Sequence, residues 1–146
     1  MGPKSAVGES SDLPPNAFPD SNEIRFGKHL ASNDKPVRDA AVAALELWLS
    51  KRKGLQESDF LKIWKGLFYC MWMCDKVPIQ MELADRLTAM VHLFPTAELA
   101  MGWFGAALRT LQREWAGLDH LRLDKYYAFA RKAVRQALVW AGRRGW

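Results

Sequence analysis

Apolar residues recur along this chain at spacings of three and four, and nowhere alternate with polar ones over a strand-length window, so the pattern predicts helices throughout. A short first helix is expected after Ser21, with Ile24 and Leu30 on one face and an end near Asn33. Asp34 is placed to cap a second helix, with Pro36 in the first turn where a missing N–H costs nothing. Val37, Ala41, Leu45, Trp48 and Leu49 form its expected buried stripe. Gly54 stops it, after a Lys51-Arg52-Lys53 cluster suited to a helix C-terminus. Ser58 is the expected cap of a central helix running to about Asp75, closed by Pro78.

A fourth helix aligns Ile79, Leu83, Leu87, Met90, Val91 and Phe94 on one arc before Pro95. Thr96 caps a fifth, with Leu99, Trp103, Phe104, Leu108, Leu111 and Trp115 inward and an end at Gly117. Asp119 opens a sixth, whose halves separate cleanly. One half carries Leu123, Tyr126, Tyr127, Val134, Leu138 and Trp140 among alanines; the other carries Asp124, Lys125, Arg131, Lys132, Arg135, Gln136 and Arg143. Helix starts at Asp34, Pro78 and Asp119 lie 44 and 41 residues apart, the period of HEAT and armadillo hairpin arrays. The expected architecture is all-α: about six helices in a short solenoid-like stack of antiparallel hairpins, forming one domain from residue 21 to 146 behind a disordered leader over residues 1–20.

The central helix departs from simple amphipathicity. Phe60, Leu61, Ile63, Trp64, Leu67, Phe68, Met71 and Trp72 cover most of its circumference, as in a helix packed on several sides. The remaining stripe holds Lys62, Lys65, Tyr69 and Lys76, and is expected to present ammonium groups and a phenol outward. Trp64, Trp72, Trp103 and Trp115 lie in apolar stripes, which favours core packing over a base-stacking platform.

Charge changes the picture at the end of the chain. The net charge is +5, but from Arg122 onward seven basic residues face one acid, Asp124, so the rest of the chain sums to −1. Such segregation is the footprint of a surface that meets a polyanion or an acidic partner. The candidate binding residues are therefore Lys62, Lys65, Tyr69, Lys76, Arg122, Lys125, Arg131, Lys132, Arg135 and Arg143. Cys70 and Cys74, the only cysteines, fall on one side of a helix with no Cys/His cluster beside them, and are expected as core thiols rather than metal ligands. No phosphate-binding glycine loop, metalloprotease motif or paired-carboxylate arrangement occurs, so an enzyme is not expected, nor any cofactor or small-molecule substrate. No apolar run approaches the length of a membrane span.

Two runs carry a family resemblance. Trp64 to Lys76 reads WKGLFYCMWMCDK, and Arg113 to Lys125 reads REWAGLDHLRLDK. In this order and separation they resemble the ribosomal RNA-processing protein 1 family, over roughly Glu23 to Trp140. The resemblance implies a nucleolar factor that joins early precursors of the large (60S) ribosomal subunit and supports maturation of their pre-ribosomal RNA, including the internal-transcribed-spacer region. It implies other assembly factors as partners, Brix-domain proteins among them, with direct contact to pre-rRNA left open. Family members usually continue into a long, charged, low-complexity tail, which this sequence, ending at Trp146, does not show. The residues alone also fit a generic HEAT-like domain binding acidic peptides through its basic face.

Overall fold

The computed structural model describes residues 27–145. The expected leader and Ile24 lie outside them. The described chain is all-α: a helical turn over residues 27–30 precedes α1 (Lys35–Lys51), α2 (Glu57–Trp72), α3 (Val77–Thr88), α4 (Ala97–Glu114) and α5 (His120–Arg143). Turns of 3-10 helix at Ala89–Leu93 and Trp115–Gly117 end α3 and α4.

Capping chemistry sets most boundaries. The Thr96 hydroxyl accepts from the Leu99 N–H at 3.3 Å, and the Asp119 carboxylate accepts from the Arg122 N–H at 3.0 Å, as expected for N-caps. At α2 the cap is Gln56 rather than Ser58, because the Asp59 carboxylate reaches back to the Gln56 N–H at 2.9 Å and fixes the first turn two residues earlier. Gly54 adopts φ 75°, a conformation that costs a side-chain-bearing residue, and so permits the tight exit from α1. At Gly66 a Cβ atom would stand 2.8 Å from Leu30 Cδ1, so the bare backbone lets the first helical turn seat against α2.

The centre of the molecule is aromatic. α2 packs chiefly on α4, and α3 on α5. Trp64, buried to 2% exposure, lies 4.9 Å from Trp103 and 5.6 Å from Phe129 between ring centroids, joining α2, α4 and α5. Phe68 stacks on Tyr126 at 4.4 Å, and Phe60 meets Trp103 edge-on at 5.5 Å. Contacts of this geometry add to the area each ring removes from water. Cys70 and Cys74 are free thiols in this core, and burial pushes the Cys70 thiol up to about 12.

Several expected faces are rotated. On α1 the buried line is Arg38, Ala41, Val42, Leu45 and Leu49, while Trp48 is 41% exposed. Arg38 is held inside by donating to the Ser32 carbonyl at 2.8 Å. α2 ends at Trp72, short of Asp75, since the Trp72 and Cys74 carbonyls turn toward α5 and accept from its side chains. On α4 the small residues Ala100, Ala106, Ala107 and Thr110 are buried and Leu108 is not. On α5 the packed arc carries Lys125, Tyr126, Phe129, Ala133, Ala137 and Trp140, leaving Tyr127, Val134 and Leu138 exposed. Its apolar half is wider than the face the neighbouring helices cover.

Candidate interaction surface

The ten candidate binding residues divide into those the fold consumes and those it leaves outside. Tyr69 belongs to the first group. Its ring is buried, and its hydroxyl donates to Glu114 Oε1 at 2.8 Å, bridging α2 to the end of α4. Burial, followed by that bond to a carboxylate, holds the phenol well above its ordinary range. The outward stripe expected on α2 is therefore interrupted at Tyr69, because α4 covers it.

Lys125 is also inside. Its Nζ donates to the carbonyls of Trp72 at 2.9 Å and Cys74 at 2.7 Å, so the ammonium group caps the C-terminal end of α2, where backbone oxygens lack helical partners. Burial, reinforced by the nearby Arg122 guanidinium, lowers its pKa to about 8. Arg122 is half-buried: Nη1 donates to Asp119 at 2.6 Å, Nε to the Trp72 carbonyl at 3.4 Å, and the guanidinium lies 4.1 Å from the Trp72 ring centroid. Lys132 pairs with Asp85 of α3 at 2.6 Å. Three of the candidate cations of α5, Arg122, Lys125 and Lys132, thus fasten that helix to α2, α3 and its own cap.

The remainder face solvent. Lys62, Lys76, Arg131, Arg135 and Arg143 are exposed, and Lys65 is half-buried. Among the described residues Lys62, Lys76, Arg131 and Arg135 form no ion pair, and Arg143 only approaches His92 Nδ1, at 3.5 Å. Tyr127, Val134 and Leu138 lie beside Arg131 and Arg135, giving the outer face of α5 a mixed apolar and cationic character. Sequence reasoning missed a second cationic group: Lys51, Arg52 and Lys53 border a groove whose opposite wall includes Phe94 and Pro95, and the carbonyls of those two residues accept from Arg144. The only linear signal was the Lys51-Arg52-Lys53 run itself, which a helix end explains equally well.

No group of three or more His, Cys, Asp or Glu side chains among the described residues is placed to hold a metal ion. None of the described helices is long and apolar enough to cross a membrane.

Residues 21–146 match the family model described as "Nucleolar protein, Nop52". The chain belongs to the Nop52 family. Relatives include the human ribosomal RNA processing protein 1 homolog B, 40% identical over 129 residues covering 85% of this chain and 17% of the relative. The human homolog A is likewise 40% identical over 129 residues, covering 85% of this chain and 28% of the relative. A Drosophila melanogaster ribosomal RNA processing protein 1 homolog is 36% identical over 131 residues, covering 86% of this chain and 19% of the relative. The chain thus spans between about a sixth and somewhat over a quarter of the length of these curated relatives. Membership of the Nop52 family, described as nucleolar, assigns the chain to the nucleus and nucleolus.

Proposed function

We propose that this chain is a non-catalytic helical scaffold in ribosomal RNA processing, acting in assembly of the large (60S) ribosomal subunit. Residues 21–146 form one helical domain in this reading, its hairpins stacked in HEAT-like fashion. The relatives' names supply the process, since each is called a ribosomal RNA processing protein. The observation that carries the reading is the division of charge: the fold uses Arg122, Lys125 and Lys132 internally, yet Arg131 and Arg135 on the same helix stay exposed without an acidic partner among the described residues. Unpaired cations on one face raise the local potential and favour a polyanion.

Pre-rRNA is the polyanion in this account, and other assembly factors, Brix-domain proteins among them, are the protein partners. Exposed Tyr127, Val134 and Leu138 among the arginines favour a protein neighbour on the same face, since contiguous apolar surface of this kind marks contact sites. Purification of the tagged chain from nucleolar extract, followed by sequencing of bound RNA and identification of bound proteins, tests the proposal. Precursors of the large subunit, with internal-transcribed-spacer sequence, are expected. Recovery of no pre-rRNA, or only of small-subunit precursors, contradicts it.

A further inference from the structure

Two helix ends remote in sequence converge on one corner of the molecule. α1 finishes in Lys51 and runs into Arg52 and Lys53; α5 finishes in Arg143, followed by Arg144. The segment Phe94–Pro95 lies between them. It lines a groove with residues 49–55 on one side, and on the other the Pro95 carbonyl accepts from Arg144 Nη1 at 2.9 Å and the Phe94 carbonyl from Nη2 at 3.5 Å. The Arg144 guanidinium also lies 4.7 Å from the Trp140 ring centroid, which fixes its position.

Helix-end electrostatics do not account for this number of cations. Each helix C-terminus carries about half a negative charge, roughly −1 for the two, against five basic side chains. An excess of about +4 remains, and no ion pair joins any of the five to a carboxylate among the described residues. An aromatic platform adjoins the excess. Trp48 is 41% exposed and Leu47 58% exposed, and the two line a shallow depression with Ala44, Lys51 and Arg52. The Arg52 guanidinium stands 5.1 Å from the Trp48 ring centroid. Lys51 and Arg52 therefore border both the aromatic step and the groove leading to Phe94 and Arg144.

We propose that this corner is a binding site for single-stranded RNA, with a base stacked at Trp48 and successive phosphates carried by the Lys51–Lys53 turn toward Arg144. Every nucleotide presents a flat π-face and a charge, and the corner offers an indole and then a file of cations. An acidic peptide would use the cations alone and leave the Trp48 step without a role. The inference rests on the reading of the chain as a ribosomal RNA processing factor, and adds a site distinct from the outer face of α5.

Fluorescence anisotropy of the whole chain with a labelled 12-nucleotide oligouridine, between about 50 and 200 mM salt, tests it. Combined Arg52→Gln, Lys53→Gln and Arg144→Gln is expected to weaken binding at least tenfold and to lower the salt slope by about 2, since each lost contact to a single strand removes roughly 0.7. Lys51→Gln with Lys53→Gln, at two exposed side chains, is expected to shift both in the same direction without touching the Arg144 anchor. Trp48→Ala should weaken binding roughly 5- to 100-fold with the slope unchanged, and Trp48→Phe should restore most of it. Unchanged affinity and slope in the folded charge variants overturn the proposal. So does displacement of the RNA by an equal concentration of a glutamate dodecamer, which would make the corner an acidic-polymer site. A wild-type chain that purifies with large-subunit precursors but ignores oligouridine sinks the corner alone and leaves the scaffold reading standing.

Discussion

Lys125 of α5 donates to the carbonyl oxygen of Trp72 at 2.9 Å, joining two residues 53 positions apart and closing the C-terminal end of α2 with a buried ammonium group. The same nitrogen serves Cys74 at 2.7 Å. Lys125→Met keeps the stem length but removes the ammonium donor from two carbonyls, leaving the Trp72 carbonyl to Arg122 Nε at 3.4 Å and the Cys74 carbonyl to Gln80 Nε2 at 2.9 Å. The expected loss is about 1–3 kcal/mol, since two bonds to a charged donor are lost while each carbonyl keeps one other donor and no charge is left buried. Urea denaturation measures it, and an unchanged midpoint would mean that water replaces the ammonium.

Buried titratable groups give a signed pH dependence. The Cys70 thiol, raised to about 12, and the Cys74 thiol, also raised, stay protonated in the folded state while unfolded thiols ionise near pH 8.5. Their contribution is fully present below that value and falls as pH rises toward 12. Lys125 acts oppositely: with its folded pKa lowered to about 8, the unfolded state binds more protons between pH 8 and 10.5, so this residue adds stability across that window. Above pH 10 the raised hydroxyls of Tyr69 and Tyr126 join the thiols. The net expectation is lower stability at pH 10.5 than at pH 8, with a shallower decline in Cys70→Ala. Denaturation midpoints at the two pH values check it, and an equal decline in both proteins would remove Cys70 from the account.

Trp64 joins three helices, and Trp64→Ala should cost ~3–5 kcal/mol, the range for deleting a large buried aromatic. Its indole N–H has no acceptor among the described residues, so Trp64→Phe should cost clearly less, since it keeps a ring at the site and discards the orphan donor. Thermal melts of both variants order them; equal losses would show that indole shape, not the ring alone, holds the core.

What the sequence revealed and what it hid follow from the range of the interactions. Caps at Thr96 and Asp119, the burial of Trp64, Trp103 and both cysteines, and the all-helical class depend on residues within a few positions or on strong periodicity, and all were legible. Tyr69 and Lys125 were misplaced as outward binding residues because their polar atoms are satisfied from Glu114, Trp72 and Cys74, at least 45 positions away. A lysine on the polar half of a helix looks solvated until the helix end it caps is known. Trp48 erred the other way: it lies at the edge of a stripe whose centre, Val42, Leu45 and Leu49, is what the core covers. The convergence of Lys51–Lys53 with Arg144 exists only in three dimensions.

The central claim is that the cations left outside by the fold carry association with precursors of the large subunit, whereas those used inside hold the structure. Co-sedimentation of two variants on a gradient of nucleolar extract, scaled to the amount of folded protein, tests it most directly. Combined Arg131→Gln, Arg135→Gln and Arg143→Gln should leave the melting temperature near that of the wild type, since exposed charges contribute little to stability, and should shift the chain from precursor fractions to the top of the gradient. Lys125→Met should melt earlier, yet its folded fraction should still travel with the precursors. If instead the triple variant sediments as the wild type does, the outer face of α5 is only a solvated surface and the division of charge has no functional meaning.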